Sequence, residues 1–208
     1  MSSISIIGLG GMGRAIGARA VEGGHAVEVV GRDAAKARNL AAALGGGATA
    51  GTFGTVPAGG IVILAVPNAS AVPVVSQYAD ALAGKVIIDI TNPMRADASG
   101  LTTPDGTSAA QEIAKAAPAS AHVVKAFNTV FGHVLATPGR PLDVLFAGDD
   151  ARAKANVSAF IESLGLRPLD AGGLEMAHWL EGTGLLMVNL ARHGVGDFNF
   201  SLGVSNLG

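Results

Sequence analysis

Short apolar runs alternate along the chain with longer stretches whose apolar positions recur at helical spacing. Ser3–Gly8 reads Ser-Ile-Ser-Ile-Ile-Gly, and its brevity and β-branching predict a buried strand. Met12, Ile16 and Ala20 share one face of a helix over Met12–Glu22. Gly23-Gly24 ends it, because glycine accepts the left-handed cap. His25–Val30 predicts a second strand. Asp33–Leu44 predicts an alanine-rich helix with Asp33 as N-cap, closed by Gly45-Gly46-Gly47. The alternation continues with strands at Ile61–Val66, Val86–Ile90, His122–Ala126, Leu142–Phe146 and Arg167–Asp170. Helices are predicted at Ala71–Leu82, Ala109–Ala117 and Ala151–Leu164, and a loop at Thr91–Ser108. Leu174–Arg192 is a longer, mostly apolar helical stretch, with a break expected near Gly182-Thr183-Gly184. A Gly- and Asn-rich tail, Gly194–Gly208, carries Phe198 and Phe200.

Strands alternating with helices pair in parallel through right-handed crossovers, which covers the sheet on both faces. The expected fold class is therefore α/β, a Rossmann-type doubly wound, mostly parallel sheet with a short helical C-terminal segment. Residues 1–170 are expected to form the dinucleotide-binding domain. Residues 171–208 are too few for a separate substrate domain, and are expected to pack on the same domain or on a dimer partner.

Composition narrows the class. Only 14% of the 208 residues are charged and 49% are hydrophobic, against about 25% charged in an average domain. A thinly charged surface favours burial between copies, so a homodimer is expected. The net charge is −2 with scattered Lys and Arg, which argues against nucleic acid as a partner. There is no cysteine, which excludes disulfides, thiolate catalysis and Cys-based metal sites; no metal site is expected. The N-terminus shows no basic leader or room for a signal peptide. No apolar run reaches the roughly 20 residues that span a bilayer. A cytoplasmic protein without a membrane partner is the expectation.

Gly8-Leu9-Gly10-Gly11-Met12-Gly13 matches G-x-G-x-x-G. It follows a predicted strand, opens a predicted helix and sits in a β-α-β unit of about thirty residues, the context that gives this motif meaning. Gly8 allows the tight turn, Gly10 lets backbone approach a pyrophosphate, and Gly13 lets helix pack on strand. Free N–H groups and the helix dipole can then hold phosphates without a lysine. The second strand ends in Val29-Val30-Gly31-Arg32-Asp33. An NAD site usually places a carboxylate at that strand end for the ribose 2′-hydroxyl. Gly31 stands there instead, with Arg32 next, able to pair bidentately with a 2′-phosphate and stack on adenine. Lys36 is a second candidate for that phosphate. Asp33 favours NADP as an N-cap turned away, or NAD as a ribose ligand. The expected cofactor is NADP(H).

Ligands bind beyond the carboxyl ends of parallel strands, where strand order reverses. Three loops are expected there: Ala65-Val66-Pro67-Asn68, Thr91-Asn92-Pro93 and Ala126-Phe127-Asn128-Thr129. Asn68, Asn92 and Asn128 could bond amide or ribose groups without adding charge; Asn and Pro are also ordinary turn formers. Lys125 and His133 are the candidates for acid–base work. Lys125 reads more simply as a strand-end lysine, paired with a carboxylate or solvated. His178 and His193 read more simply as packing and helix-end residues.

These motifs resemble those of the NADP-dependent reductases of the deazaflavin coenzyme F-420, a group similar to the cytoplasmic domain of STEAP metalloreductases. The matching pieces are Gly8–Gly13, Gly31-Arg32-Asp33, Ala65-Val66-Pro67, Asp89-Ile90-Thr91-Asn92-Pro93 and Val124-Lys125-Ala126-Phe127-Asn128-Thr129. The resemblance implies hydride transfer between NADPH and a deazaflavin or flavin-type acceptor. It also implies that Pro67, Asn92 and Asn128 line the nicotinamide, and that His133 and the segment from Glu175 border the second ring. Such chemistry requires stacked rings more than an acid or base. Two alternatives remain: a reductase of a small carbonyl or imine, with Lys125 or His133 as proton donor, and a non-catalytic NADP-binding sensor.

Overall fold

The structure, a computed structural model, describes residues 1–207; Gly208, the last residue of the expected tail, lies outside them. Eight strands form one sheet: β1 (Ser3–Ile7), β2 (Ala26–Gly31), β3 (Thr49–Thr52), β4 (Ile61–Leu64), β5 (Val86–Asp89), β6 (His122–Ala126), β7 (Asp143–Gly148) and β8 (Arg167–Asp170). Their spatial order is β3-β2-β1-β4-β5-β6-β7-β8. The chain winds outward from β1 in one direction, then jumps to β4 and winds the other way. That reversal, between β1 and β4, is the doubly wound switch point.

The helices are α1 (Gly11–Glu22), α2 (Ala34–Leu44), α3 (Asn68–Tyr78), α4 (Ala109–Ala116), α5 (Gly132–Leu135), α6 (Ala151–Ser163) and α7 (Ala177–Leu190). They divide between the two sheet faces. Ile4, Ile6, Val29, Ile63 and Ile88 pack with α1, α2 and α6 on one face. Ile7, Val30, Val62, Leu64 and Ile87 pack with α3, α4 and the start of α7 on the other. Consecutive residues such as Ile6 and Ile7 point to opposite faces and both are buried, which accounts for the near-continuous apolar runs. Among the described residues no helix is long and apolar enough to cross a membrane.

Four features depart from the sequence pattern. β3 is an added edge strand; Thr49, Ala50 and Thr52 are exposed, so no alternation marks it. α3 starts three residues before the expected Ala71, behind Pro67, and keeps Pro73 inside. β7 pairs antiparallel with β6. The connection between them holds only the short α5, packed on α1, and the chain returns along the same edge without a full crossover helix. Finally, α7 runs unbroken through Gly182-Thr183-Gly184. Gly184 is there for close approach: a Cβ on it would stand 2.6 Å from Asn92 Oδ1.

Candidate functional site

The carboxyl ends of β1, β4, β5 and β6 meet on one rim of the sheet, spanning the switch point. Gly8 leaves β1 at φ +124°, and a Cβ there would lie 2.1 Å from the Ala65 carbonyl oxygen. The exits of β1 and β4 therefore touch backbone to backbone, which only glycine permits. A Cβ on Gly13 would lie 2.6 Å from the Gly8 oxygen, so α1 sits hard against the turn. Gly10 is different: a Cβ there would meet nothing within 4 Å. Packing within the chain does not account for this glycine, nor for its equally open neighbour Gly11. Gly10 is the N-cap of α1, which has no side-chain cap and no acidic residue in its first turn. The first N–H groups of α1 and the positive end of its dipole are left to face an anion. Leu9 and Met12 flank this turn. Leu9 lies over Gly31, where a Cβ would come within 2.5 Å of Leu9 Cδ1.

Beyond β2, Arg32 is exposed and lines a cleft of about 450 Å³ together with Gly10, Gly31, Phe53, Pro67 and Gln77. Asp33 sits at the cleft rim, yet Asp33 Oδ1 accepts hydrogen bonds from the Ala35 and Lys36 N–H groups, both at 3.0 Å. The bond from Lys36 N–H is the main reason its carboxyl stays below the usual carboxylate range. Asp33 is thus an N-cap committed to α2. Lys36 is exposed on α2, its ammonium 3.7 Å from Asp33 Oδ2. Ala65, Val66 and Pro67 line the opposite wall of the cleft. Asn68 opens α3 and accepts from Thr91 Oγ1 at 3.1 Å. Sequence reasoning missed Phe53, Val74 and Gln77, which the fold brings to the same cleft from the β3 exit and the second half of α3.

The β5 and β6 exits are laced together. Asn128 Nδ2 donates to Asn92 Oδ1 at 3.0 Å and to the Leu180 carbonyl at 2.8 Å. Asn92 Nδ2 donates to the Asn128 carbonyl at 2.9 Å. Asn128 Oδ1 and Thr129 Oγ1 are buried without a hydrogen-bond partner in the chain, which is costly unless something else satisfies them. Phe127, just before them, holds a left-handed φ of +62° while fully buried. Strain of this kind persists where the surroundings enforce it, often at functional sites.

Lys125 and His133 are not brought together. Lys125 is fully buried. Lys125 Nζ donates to Asp89 Oδ2 at 2.7 Å, the Thr91 carbonyl at 2.6 Å and Glu181 Oε1 at 2.8 Å. Its three protons are all engaged, and no surface of it is open to a ligand. Glu181, which sequence reasoning missed, also accepts from the Ala109 and Ala110 N–H groups at the start of α4. Burial holds its carboxyl above the usual range against the pull of Lys125. The only sequence signal was a lone acid in an apolar helix. His133 instead lies exposed on α5. Its ring is nearly parallel to Phe131, at 6.1 Å between centroids and 13° between planes. His178 bonds the Thr107 carbonyl at 2.9 Å, and His193 lies in the exposed turn after α7.

Comparison with known proteins adds three relations. Residues 3–93 match the family described as NADP oxidoreductase coenzyme F420-dependent. The F420-dependent NADP reductase of Methanocaldococcus jannaschii is 31% identical over 141 residues, 64% of this chain and 62% of that protein. Metalloreductase STEAP3 of Rattus norvegicus is 36% identical over 105 residues, half of this chain but only 20% of that protein. The chain thus spans less than two thirds of either relative. A crystal structure from Arthrobacter sp. FB24, provisionally called an F420-dependent NADP reductase, superposes with a TM-score of 0.87 at 25% identity, covering 99% of this chain and 100% of that one.

Proposed function

Because residues 3–93 match the F420-dependent NADP oxidoreductase family and the reductase likeness runs on over 141 residues, we propose that this chain is an NADP-dependent oxidoreductase. It passes a hydride between NADPH and a deazaflavin or flavin-type acceptor. One observation carries the reading: an uncapped helix start behind an open Gly10 lies in the same cleft as Arg32, while Asp33 is tied to α2. Bound NADPH supplies a hydride from its nicotinamide C4. The chain's own residues bind and orient it. Backbone N–H groups between Leu9 and Gly13 take the pyrophosphate. Arg32 takes the 2′-phosphate, with the exposed Lys36 as a second cation, and Phe53 and Gln77 border the adenine. Ala65, Val66, Pro67 and Asn68 form the wall between ribose and ring.

Asn92 and Asn128 tie the β5 and β6 exits together beside the nicotinamide, each side chain bonded to the other residue. Lys125 has a positioning role: with Asp89 and Glu181 it fixes the Thr91-Asn92 exit and α7. His133 borders the acceptor. Two copies of the chain pair through the exposed apolar side of α7 and the turn after it, where Trp179, Leu186 and Val195 are exposed.

The test is turnover. NADPH oxidation is followed with coenzyme F-420, FMN, FAD and a panel of carbonyls and imines. Reduction of a deazaflavin or flavin supports the proposal. Turnover of carbonyls or imines alone, or tight NADPH binding without turnover, contradicts it.

A further inference from the structure

Three of the seven phenylalanines gather at the surface, beside the first turn of α1. Phe131 is the N-cap of α5 and lies two residues past Thr129. Phe198 packs against it edge-on at 5.3 Å and Phe200 at 5.4 Å. His133 lies parallel to it. The next residue, Gly132, abuts α1: a Cβ there would sit 3.2 Å from Met12 Sδ and 3.6 Å from Met12 N. The aromatic group therefore adjoins the glycine turn and the Asn128-Thr129 exit.

The two outer rings belong to a segment without secondary structure. It leaves α7 through a π-turn and Gly196, at φ +88°, and continues irregularly to residue 207. Its polar ties are few and exposed. Arg140 Nη1 donates to Asn199 Oδ1 at 2.9 Å. Val204 N–H donates to Asp143 Oδ2 at 2.7 Å, and the Arg167 guanidinium donates to the Val204 carbonyl. The segment is tied at Asn199 and Val204, and on either side of Asn199 it presents the rings of Phe198 and Phe200 to Phe131. Phe198 remains 41% exposed. A chain with only 4% aromatic residues thus leaves a partly wet aromatic cluster at one point of its surface.

We propose that residues 196–200 are a strap forming one wall of the acceptor site, and that Phe198 and Phe200 with Phe131 select acceptors carrying a planar aromatic ring. Aromatic faces and edges attract a flat ring in offset or edge-on geometry and offer little to a small aliphatic carbonyl. Gly196 supplies the hinge, and the ties at Asn199 and Val204 hold the strap in register. This rests on the oxidoreductase reading but concerns the acceptor alone.

The experiment uses the full chain with Phe198→Ala/Phe200→Ala, and with Phe198→Tyr/Phe200→Tyr as the conservative partner. Binding of oxidised coenzyme F-420 and of FMN is read by fluorescence, KM and kcat by NADPH oxidation, NADPH affinity by titration, and folding by Tm. The alanine variant is expected to weaken ring-probe binding and raise KM for the ring acceptor roughly 10-fold, about 3-fold for each lost aromatic contact. The NADPH Kd and Tm stay close to wild type, and the tyrosine variant restores binding. Unchanged or tighter ring binding, or loss that follows NADPH affinity and Tm together, overturns the strap. If the wild type binds the ring probes through these phenylalanines without turnover, the strap stands and the oxidoreductase reading falls. If it binds neither probe, the strap falls.

Discussion

A buried polar side chain is costly unless acceptors in the protein replace the water it has lost. Lys125 meets two carboxylates and a carbonyl, all within 2.8 Å. Removing one member of such a cluster leaves the others uncompensated, so Lys125→Met is expected to lower stability by about 3–5 kcal/mol, measured as a shift in the denaturant midpoint at unchanged m-value. A Lys125→Met chain that is fully stable but has lost turnover would return the lysine to acid–base chemistry. That the glycine turn and Arg32 would meet at one cleft was legible in the sequence, because spacing within one β-α-β unit places them there. Glu181, Phe53 and Gln77 were not. Each reaches its cluster from an element remote in sequence, and nothing local to Glu181 announces that it will meet Lys125, 56 residues away.

Among the elements, those with two buried faces or a clear helical stripe were readable, and those without were not. β1 and β4 appear as apolar runs, whereas β3 has too little burial to leave a pattern. The expected break in α7 follows from the low helix propensity of glycine. It fails because Gly184 is required for the contact with Asn92 and tertiary packing outweighs the propensity. The Val204 tie makes a prediction about acid. The Arg167 hydrogen bond is the main reason the Asp143 carboxyl lies below its ordinary value of 3.8. A depressed carboxylate contributes stability that is present above its unfolded value and is lost as pH falls through the folded one. The hold of Asp143 on Arg167 and Val204 N–H is therefore intact at neutral pH and released only below about pH 4. Amide exchange at Val204, corrected for its intrinsic pH dependence, should accelerate there and not between pH 5 and 8. Loss of protection near pH 6 would show that another group holds the segment.

For the whole molecule, the doubly wound sheet follows from strand–helix alternation, and the β1–β4 switch point sets both the glycine turn and the β4–β6 exits on one rim. The antiparallel β7 was not legible, because direction depends on where the β6–β7 connection packs and not on its composition. Trp179, Leu186 and Val195, exposed by 65%, 54% and 51%, leave an apolar side on α7 and its C-terminal turn. Sedimentation at micromolar concentration should give a dimer, and Trp179→Glu should shift it to monomer without changing NADPH affinity. A wild-type monomer throughout would contradict the pairing.

The central claim concerns one cofactor in one place, the diphosphate on the α1 turn and the 2′-phosphate on Arg32. Calorimetric titration of NADPH and NADH into the wild type and Arg32→Ala tests it most directly. A charged hydrogen bond to phosphate contributes about 1.5–3 kcal/mol, so NADPH affinity should fall roughly 10- to 100-fold on substitution while NADH affinity hardly changes. Equal losses for both dinucleotides, or wild-type preference for NADH, would contradict the account.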